Sequence, residues 1–127
     1  MSRWILDSNV WIDAGAGRAD ACRAVLQAGG IEWCGFSAMS RLEVLGYARL
    51  TADEENRLLQ MFAQFHELPV TDEVIARAIL VRREFRLKTP DAVIAATALL
   101  TNADLVTRNI SDFTRVRGLA VVNVGTL

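Results

Sequence analysis

Arg3-Trp4-Ile5-Leu6-Asp7-Ser8-Asn9-Val10-Trp11-Ile12, residues 3–12, passes from one kind of backbone to another within a few positions. Arg3 to Leu6 reads as a short buried strand ending at Asp7, and Ser8-Asn9 makes a polar turn into Val10-Trp11-Ile12, where a helix can open. A strand thus delivers a carboxylate to the edge of a sheet and hands over to a helix.

The alternation continues outward from this segment. Asp20 to Ala28 is helix-like and stops at Gly29-Gly30, and Ile31 to Phe36 has the length and apolar content of a second strand. Ser37 begins a helix over roughly Ala38 to Arg49, in which Glu43 stands among Leu42, Leu45 and Tyr47. Thr51-Ala52-Asp53-Glu54 fits a capping box, threonine and glutamate each serving a free backbone N–H, and the helix it starts should reach about Phe65. Leu58, Leu59, Met61, Phe62 and Phe65 form its core stripe. Glu67 to Val70 is a short strand, and Thr71-Asp72-Glu73 starts a helix carrying Val74, Ile75, Ala78, Ile79 and Val81 toward Phe85.

Thr89-Pro90-Asp91 is a strong helix start, with threonine at the cap and proline at the first position, where its missing N–H does no harm. Ala92, Ala95, Ala96 and Ala98 in the following helix permit close approach to a sheet. Leu105 to Thr107 and Leu119 to Val124 are the last strands. Short strands separated by helices favour right-handed crossovers and a parallel sheet covered on both faces. The expected fold is α/β: a three-layer α/β/α sandwich around a central, mainly parallel sheet.

The chain has 127 residues, enough for one domain spanning 1–127, and its 52% apolar content excludes a disordered chain. The longest later apolar run, Ala92 to Leu100, is too short to cross a bilayer, so a soluble, cytoplasmic protein without membrane partners is expected. Cys22 and Cys34 have no close-spaced metal motif and are read as reduced core residues, and His66 has no second histidine with which to share a zinc ion.

The net charge of −1 argues against binding nucleic acid by bulk electrostatics alone. The distribution says more. Thirteen of the fourteen basic residues are arginine, and Arg82, Arg83, Arg86 and Lys88 crowd the stretch leading into Asp91. Guanidinium forks match phosphate geometry, although such a cluster also suits a solvated helix face.

Four acids stand beside strand or helix ends: Asp7, Glu43, Asp91 and Asp112. Each has a structural alternative. Asp91 suits the first turn of a helix through the dipole, Asp112 suits a loop or cap, Asp7 suits a turn with Ser8 and Asn9, and Glu43 suits simple solvent exposure. Coincidence of all four is harder to explain. Ligands in open parallel sheets collect beyond the carboxyl ends of the strands, where Asp7 and the Thr107 to Asp112 loop would lie. Crowded carboxylates repel one another unless positive charge is supplied, and an all-oxygen set selects Mg²⁺ or Mn²⁺, the ions of phosphoryl chemistry.

The segments Ile5-Leu6-Asp7-Ser8-Asn9, Ser40-Arg41-Leu42-Glu43-Val44, Leu87 to Ala98 and Leu105 to Phe113 together resemble the PIN-domain family across essentially the whole chain. Length and segment order look most like the VapC ribonuclease toxins of toxin–antitoxin pairs. The resemblance implies that Asp7, Glu43, Asp91 and Asp112 match the family's acidic metal-binding positions and Asn9, Thr107 and Asn109 its polar helpers. Many members carry aspartate where this chain has Asn109, which leaves Asp112 as the only acid from the last motif. The expectation is a metal-dependent endoribonuclease whose Asp7, Asp91 and Asp112 hold Mg²⁺ or Mn²⁺, with Glu43 completing the shell or positioning water. Arg82, Arg83, Arg86, Lys88 and Arg108 are candidates for gripping the RNA backbone. A homodimer and a VapB-type antitoxin are also implied, with DNA reached only through the antitoxin complex.

Two other readings compete. A haloacid-dehalogenase-like phosphatase also places aspartate after its first strand, but it needs a second aspartate where Asn9 stands and a downstream lysine, and Lys88 is the only lysine. A non-catalytic PIN-like binding module acting as antitoxin partner or co-repressor suits the low net charge, but four acids suit it poorly.

Overall fold

The computed structural model describes residues 2–127. Its centre is a five-stranded sheet in the order β3-β2-β1-β4-β5, every neighbouring pair parallel. The strands are β1 (Arg3–Leu6), β2 (Trp33–Ser37), β3 (His66–Leu68), β4 (Asp104–Thr107) and β5 (Val121–Asn123). Between them run α1 (Ser8–Gly15), α2 (Ala19–Ala28), α3 (Ala38–Leu45), α4 (Ala52–Phe62), α5 (Asp72–Phe85), α6 (Thr89–Leu100) and α7 (Ile110–Phe113). The three-layer α/β/α sandwich expected from the sequence is the observed architecture.

Strand alternation divides the interior into two cores. Ile5 pairs with Leu105 and Leu6 with Val106, and successive strand residues point to opposite faces. Ile5 and Leu105 therefore meet Val74, Ala78 and Val81 of α5, Val93 and Ile94 of α6, and Phe113 of α7. Leu6 and Val106 meet Val10 and Trp11 of α1, Ala24 of α2, Val44 of α3, and Leu58 and Phe62 of α4. This is why the strands read as continuous apolar runs.

Trp11 anchors the second core. It is fully buried, its ring centroid lies 4.9 Å from Phe62 and 5.5 Å from Phe36, and its Nε1–H donates to the Leu6 carbonyl at 3.1 Å. α4 crosses α1 at Gly15, where any added Cβ would meet Leu58 at 2.9 Å, and Arg57 donates from Nε and Nη2 to the Gly15 carbonyl at 3.0 and 2.7 Å.

Element boundaries move from the expectation where local caps decide. α1 starts at Ser8, because the Asp7 side chain accepts from the Ser8 N–H and acts as N-cap. α3 ends at Leu45 with Gly46 as C-cap, well short of Arg49. The capping box of Thr51 and Glu54 is present, but α4 stops at Phe62. Lys88, not Thr89, occupies the N-cap of α6, and proline falls within its first turn. Leu59 is exposed, so the core stripe on α4 is narrower than the sequence suggested, and Leu42 of α3 and Ile75 and Ile79 of α5 are exposed too. Cys34 is buried as expected and Cys22 only half-buried. Among the described residues no helix is long and apolar enough to cross a membrane.

Candidate functional site

Asp7 leaves the carboxyl end of β1 and is almost fully buried, with 3% of its surface exposed. Its Oδ1 accepts from the Ser8 N–H at 2.8 Å, and its Oδ2 accepts from Thr107 Oγ1 at 2.8 Å. Thr107 in turn accepts at Oγ1 from the Asn109 N–H at 2.9 Å and from Asn9 Nδ2 at 3.5 Å. The two central strands, β1 and β4, are thus joined at their carboxyl ends by side chains already expected to work together.

Glu43 reaches the same place from α3, half-buried. Ser8 Oγ lies 2.7 Å from Glu43 Oε1 and 2.9 Å from Ser40 Oγ. A hydroxyl has one proton, and an ionised carboxylate can only accept, so Ser8 donates to Glu43 and accepts from Ser40. Asp91 stands in the first turn of α6, half-buried. Asp112 lies in α7, where its Oδ2 accepts from Asn109 Nδ2 at 2.9 Å and its Oδ1 faces Arg115 at 3.8 Å. Sequence reading missed Ser8, treated as a turn residue, and Ser40. The available signal was the i, i+3 spacing of Ser40 and Glu43 on one helix face.

Electrostatics link these acids. Burial pushes the Asp7 carboxyl up to about 6 against the lowering effect of the Thr107 and Ser8 hydrogen bonds, and the charges of Asp91 and Glu43 raise it further. Asp91 is raised as well, first by burial and then by Glu43 and Asp112, with Lys88 opposing. Each of the four candidate acids is therefore felt by at least one other.

Among the described residues, no group of three or more His, Cys, Asp or Glu side chains is placed to hold a metal ion. The donor set nevertheless fits a hard cation. It consists of carboxylate oxygens, it carries excess negative charge in a low-dielectric pocket, and the raised Asp7 and Asp91 carboxyls are those a cation would return to their ionised form. His66 is far from this chemistry in the fold: it lies on β3 and stacks on Trp33 at 5.5 Å.

The basic candidates divide. Arg82 and Arg83 end α5, Arg86 is its C-cap in the left-handed region at φ 57°, and Lys88 caps α6; all four are exposed. Arg108 is placed differently. Its Nε donates to Asp13 Oδ2 at 2.8 Å, and its Nη1 and Nη2 donate to Asp20 Oδ2 and Oδ1, each at 2.9 Å.

The sequence profile of the PIN domain matches residues 4–119. A toxin–antitoxin complex from Klebsiella pneumoniae contains a chain 31% identical to this one, with a TM-score of 0.80 over 94% of this chain and 96% of that one. VapBC2 from Rickettsia felis, bound to a DNA fragment from its promoter, is 22% identical with a TM-score of 0.79 over 95% and 98% of the two chains. DNA-bound VapBC from Salmonella typhimurium is 17% identical with a TM-score of 0.80 over 98% and 99%. The last two likenesses speak to fold alone. No functionally curated protein sequence matches the chain.

Proposed function

The chain belongs to the PIN-domain family, and from that premise we propose that it is a metal-dependent endoribonuclease, the toxin of a VapBC-type toxin–antitoxin pair. One observation carries the reading. The Asp7 carboxyl at the end of β1 feels the charges of Asp91 and Glu43, Asp91 feels those of Glu43 and Asp112, and Asp7, the most buried of them, is held at both oxygens by hydrogen bonds.

Asp7, Asp91 and Asp112 would hold Mg²⁺ or Mn²⁺, with Glu43 completing the set. Bound there, the ion supplies Lewis-acid stabilisation of charge on the phosphate and lowers the pKa of water. The side chains supply orientation. The Ser8 N–H and Thr107 Oγ1 fix the plane of the Asp7 carboxylate, Ser8 Oγ fixes one oxygen of Glu43, and Asn109 Nδ2 fixes one oxygen of Asp112. With Oε1 held, Glu43 presents Oε2 to orient a water whose oxygen attacks phosphorus as the P–O bond to the leaving nucleotide breaks. The water's proton passes to solvent or carboxylate, and the leaving oxygen takes one up. Arg82, Arg83, Arg86 and Lys88 lie along the chain leading to Asp91 and suit phosphates flanking the scissile bond.

The Klebsiella relative, solved as a toxin–antitoxin complex, supports a VapB-type antitoxin as partner and a toxin role. A homodimer, and contact with DNA through the antitoxin alone, complete this reading. The alternative is a non-catalytic module that acts through its partner. Incubating purified protein with RNA, single-stranded DNA and a phosphate monoester, each with Mg²⁺ and with EDTA, tests the substrate class. Scission of RNA alone, abolished by EDTA, is expected. Monoester hydrolysis without RNA scission would reject the proposal, and no metal-dependent scission of any substrate would favour the non-catalytic module.

A further inference from the structure

Arg108 sits between Thr107, which holds Asp7, and Asn109, which holds Asp112. Its guanidinium is only partly exposed and already engaged. It bridges two helices, spending Nε on Asp13 of α1 and both terminal nitrogens on Asp20 of α2, a bidentate fork with all three bonds at 2.8–2.9 Å. Its backbone N–H donates to Asn9 Oδ1 at 3.3 Å. Asn9 and Asp13 are one turn apart on α1, so the loop after β4 grips the same helix twice, once through main chain and once through side chain.

We propose that Arg108, Asp13 and Asp20 form a positioning clasp that sets the loop bearing Thr107, Asn109 and Asp112 against α1, and so fixes the spacing of the acidic pocket; the inference rests on the nuclease reading above. Two carboxylates and a planar fork define one orientation of the guanidinium, which a point charge such as lysine would not. The pairing is mutual. The hydrogen bond from Arg108 leads the effects that hold Asp20 down at about 2, and the hydrogen bond to Asp20 leads those that raise Arg108. Arg18 approaches the same two acids at 3.9 and 3.4 Å, is mostly exposed, and leads into α2 without touching the loop. Three of the five guanidinium N–H groups are spent on the two aspartates, whose charges offset that of Arg108, so this arginine orders ligands and leaves the backbone grip to the exposed cluster.

The test compares Arg108→Gln, Asp20→Asn, their double variant and an Arg18→Ala control. Mn²⁺ affinity is measured without RNA by electron paramagnetic resonance, together with kcat, KM, RNA affinity in EDTA and Tm. Groups that orient ligands from behind typically change metal affinity or activity roughly 10–100-fold. Arg108→Gln and Asp20→Asn should each weaken Mn²⁺ binding on that scale and lower kcat with little change in KM. The double variant should be no worse than the poorer single, and Arg18→Ala should match wild type. A backbone-gripping Arg108 predicts the opposite split: Arg108→Gln would raise KM, while Asp20→Asn would free the guanidinium and tighten RNA binding. That pattern, or lowered Tm with Mn²⁺ affinity unchanged, overturns the clasp. If wild type binds Mn²⁺ but cleaves no RNA, the nuclease reading falls and the Mn²⁺ arm still decides the clasp; if wild type binds no Mn²⁺, both fall.

Discussion

Replacing Asp7 by asparagine should make the metal-free protein more stable, against the usual effect of a buried substitution. The Asp7 carboxyl titrates near 3.8 when unfolded and is pushed up to about 6 in the fold, chiefly by burial. Below pH 3.8 both states hold the proton and the group contributes nothing. Between 3.8 and about 6 only the folded state keeps it, so stability falls as pH rises. Above about 6 the carboxylate is ionised in both states and the folded protein bears the whole cost. At ~1.4 kcal/mol per pH unit of separation, that cost is ~3 kcal/mol. Asparagine removes the charge but changes the hydrogen bond from Thr107, which offsets ~1 kcal/mol. The expected net gain at pH 7.5 in EDTA is ~1–3 kcal/mol, or roughly 3–10 °C in Tm for a chain of this length. Thermal unfolding of both proteins at pH 7.5 and pH 4 provides the assay. The gain should shrink toward zero or reverse at pH 4, and millimolar Mg²⁺ at pH 7.5 should stabilise wild type but not the variant. A variant no more stable than wild type at pH 7.5, or one equally stabilised at both pH values, would refute the account of Asp7.

Ser8→Ala removes the donor that fixes Glu43 and leaves the buried Ser40 hydroxyl without its partner, so it should lower kcat roughly 10–100-fold and Tm by only a few degrees, readable by RNA cleavage beside thermal melting. The double variant Arg82→Ala, Arg83→Ala should weaken RNA binding uniformly across sequences and reduce the slope of log K against log salt by roughly 1–2, measured by anisotropy over a salt series. Arg86→Gly relieves a left-handed residue at φ 57° and should raise stability by ~1 kcal/mol in denaturant unfolding. It should also weaken RNA binding if the Arg86 side chain serves as a phosphate contact.

The fold was legible because its signals are local and repeat. Apolar runs short enough for strands alternate with capped helices, and the capping box at Thr51 and the proline near the start of α6 are present in the structure. Helix ends were less legible. α3 and α4 stop where the chain must turn back toward the sheet, a tertiary demand that the apolar pattern through Tyr47 and Phe65 hides. The exposed Leu59 misled for a related reason, since an apolar side chain at helical spacing does not declare which side of the helix is covered.

Asp7 could be picked out because it follows a strand and Asp91 because it opens a helix, whereas Glu43 and Asp112 lie inside α3 and α7 and were marked by their flanking residues. Ser8 was hidden because a serine after aspartate is also good turn chemistry. Arg108 was named as an RNA-backbone candidate, but its engagement was not legible: Asp13 and Asp20 lie 95 and 88 positions away in sequence, and only the crossover of α1 and α2 against β4 reveals it.

The most direct measurement is cleavage of total cellular RNA by purified protein in Mg²⁺, Mn²⁺ and EDTA, beside an identically purified Asp91→Asn variant. Asp91 is half-buried and its carboxyl is raised by that burial and by its acidic neighbours, so its amide should leave the fold intact while removing a proposed metal ligand. Discrete fragments that require metal and vanish in the folded variant are the predicted result. Equal cleavage by the two proteins, or fragments that persist in EDTA, would contradict a metal-dependent nuclease built on these four acids.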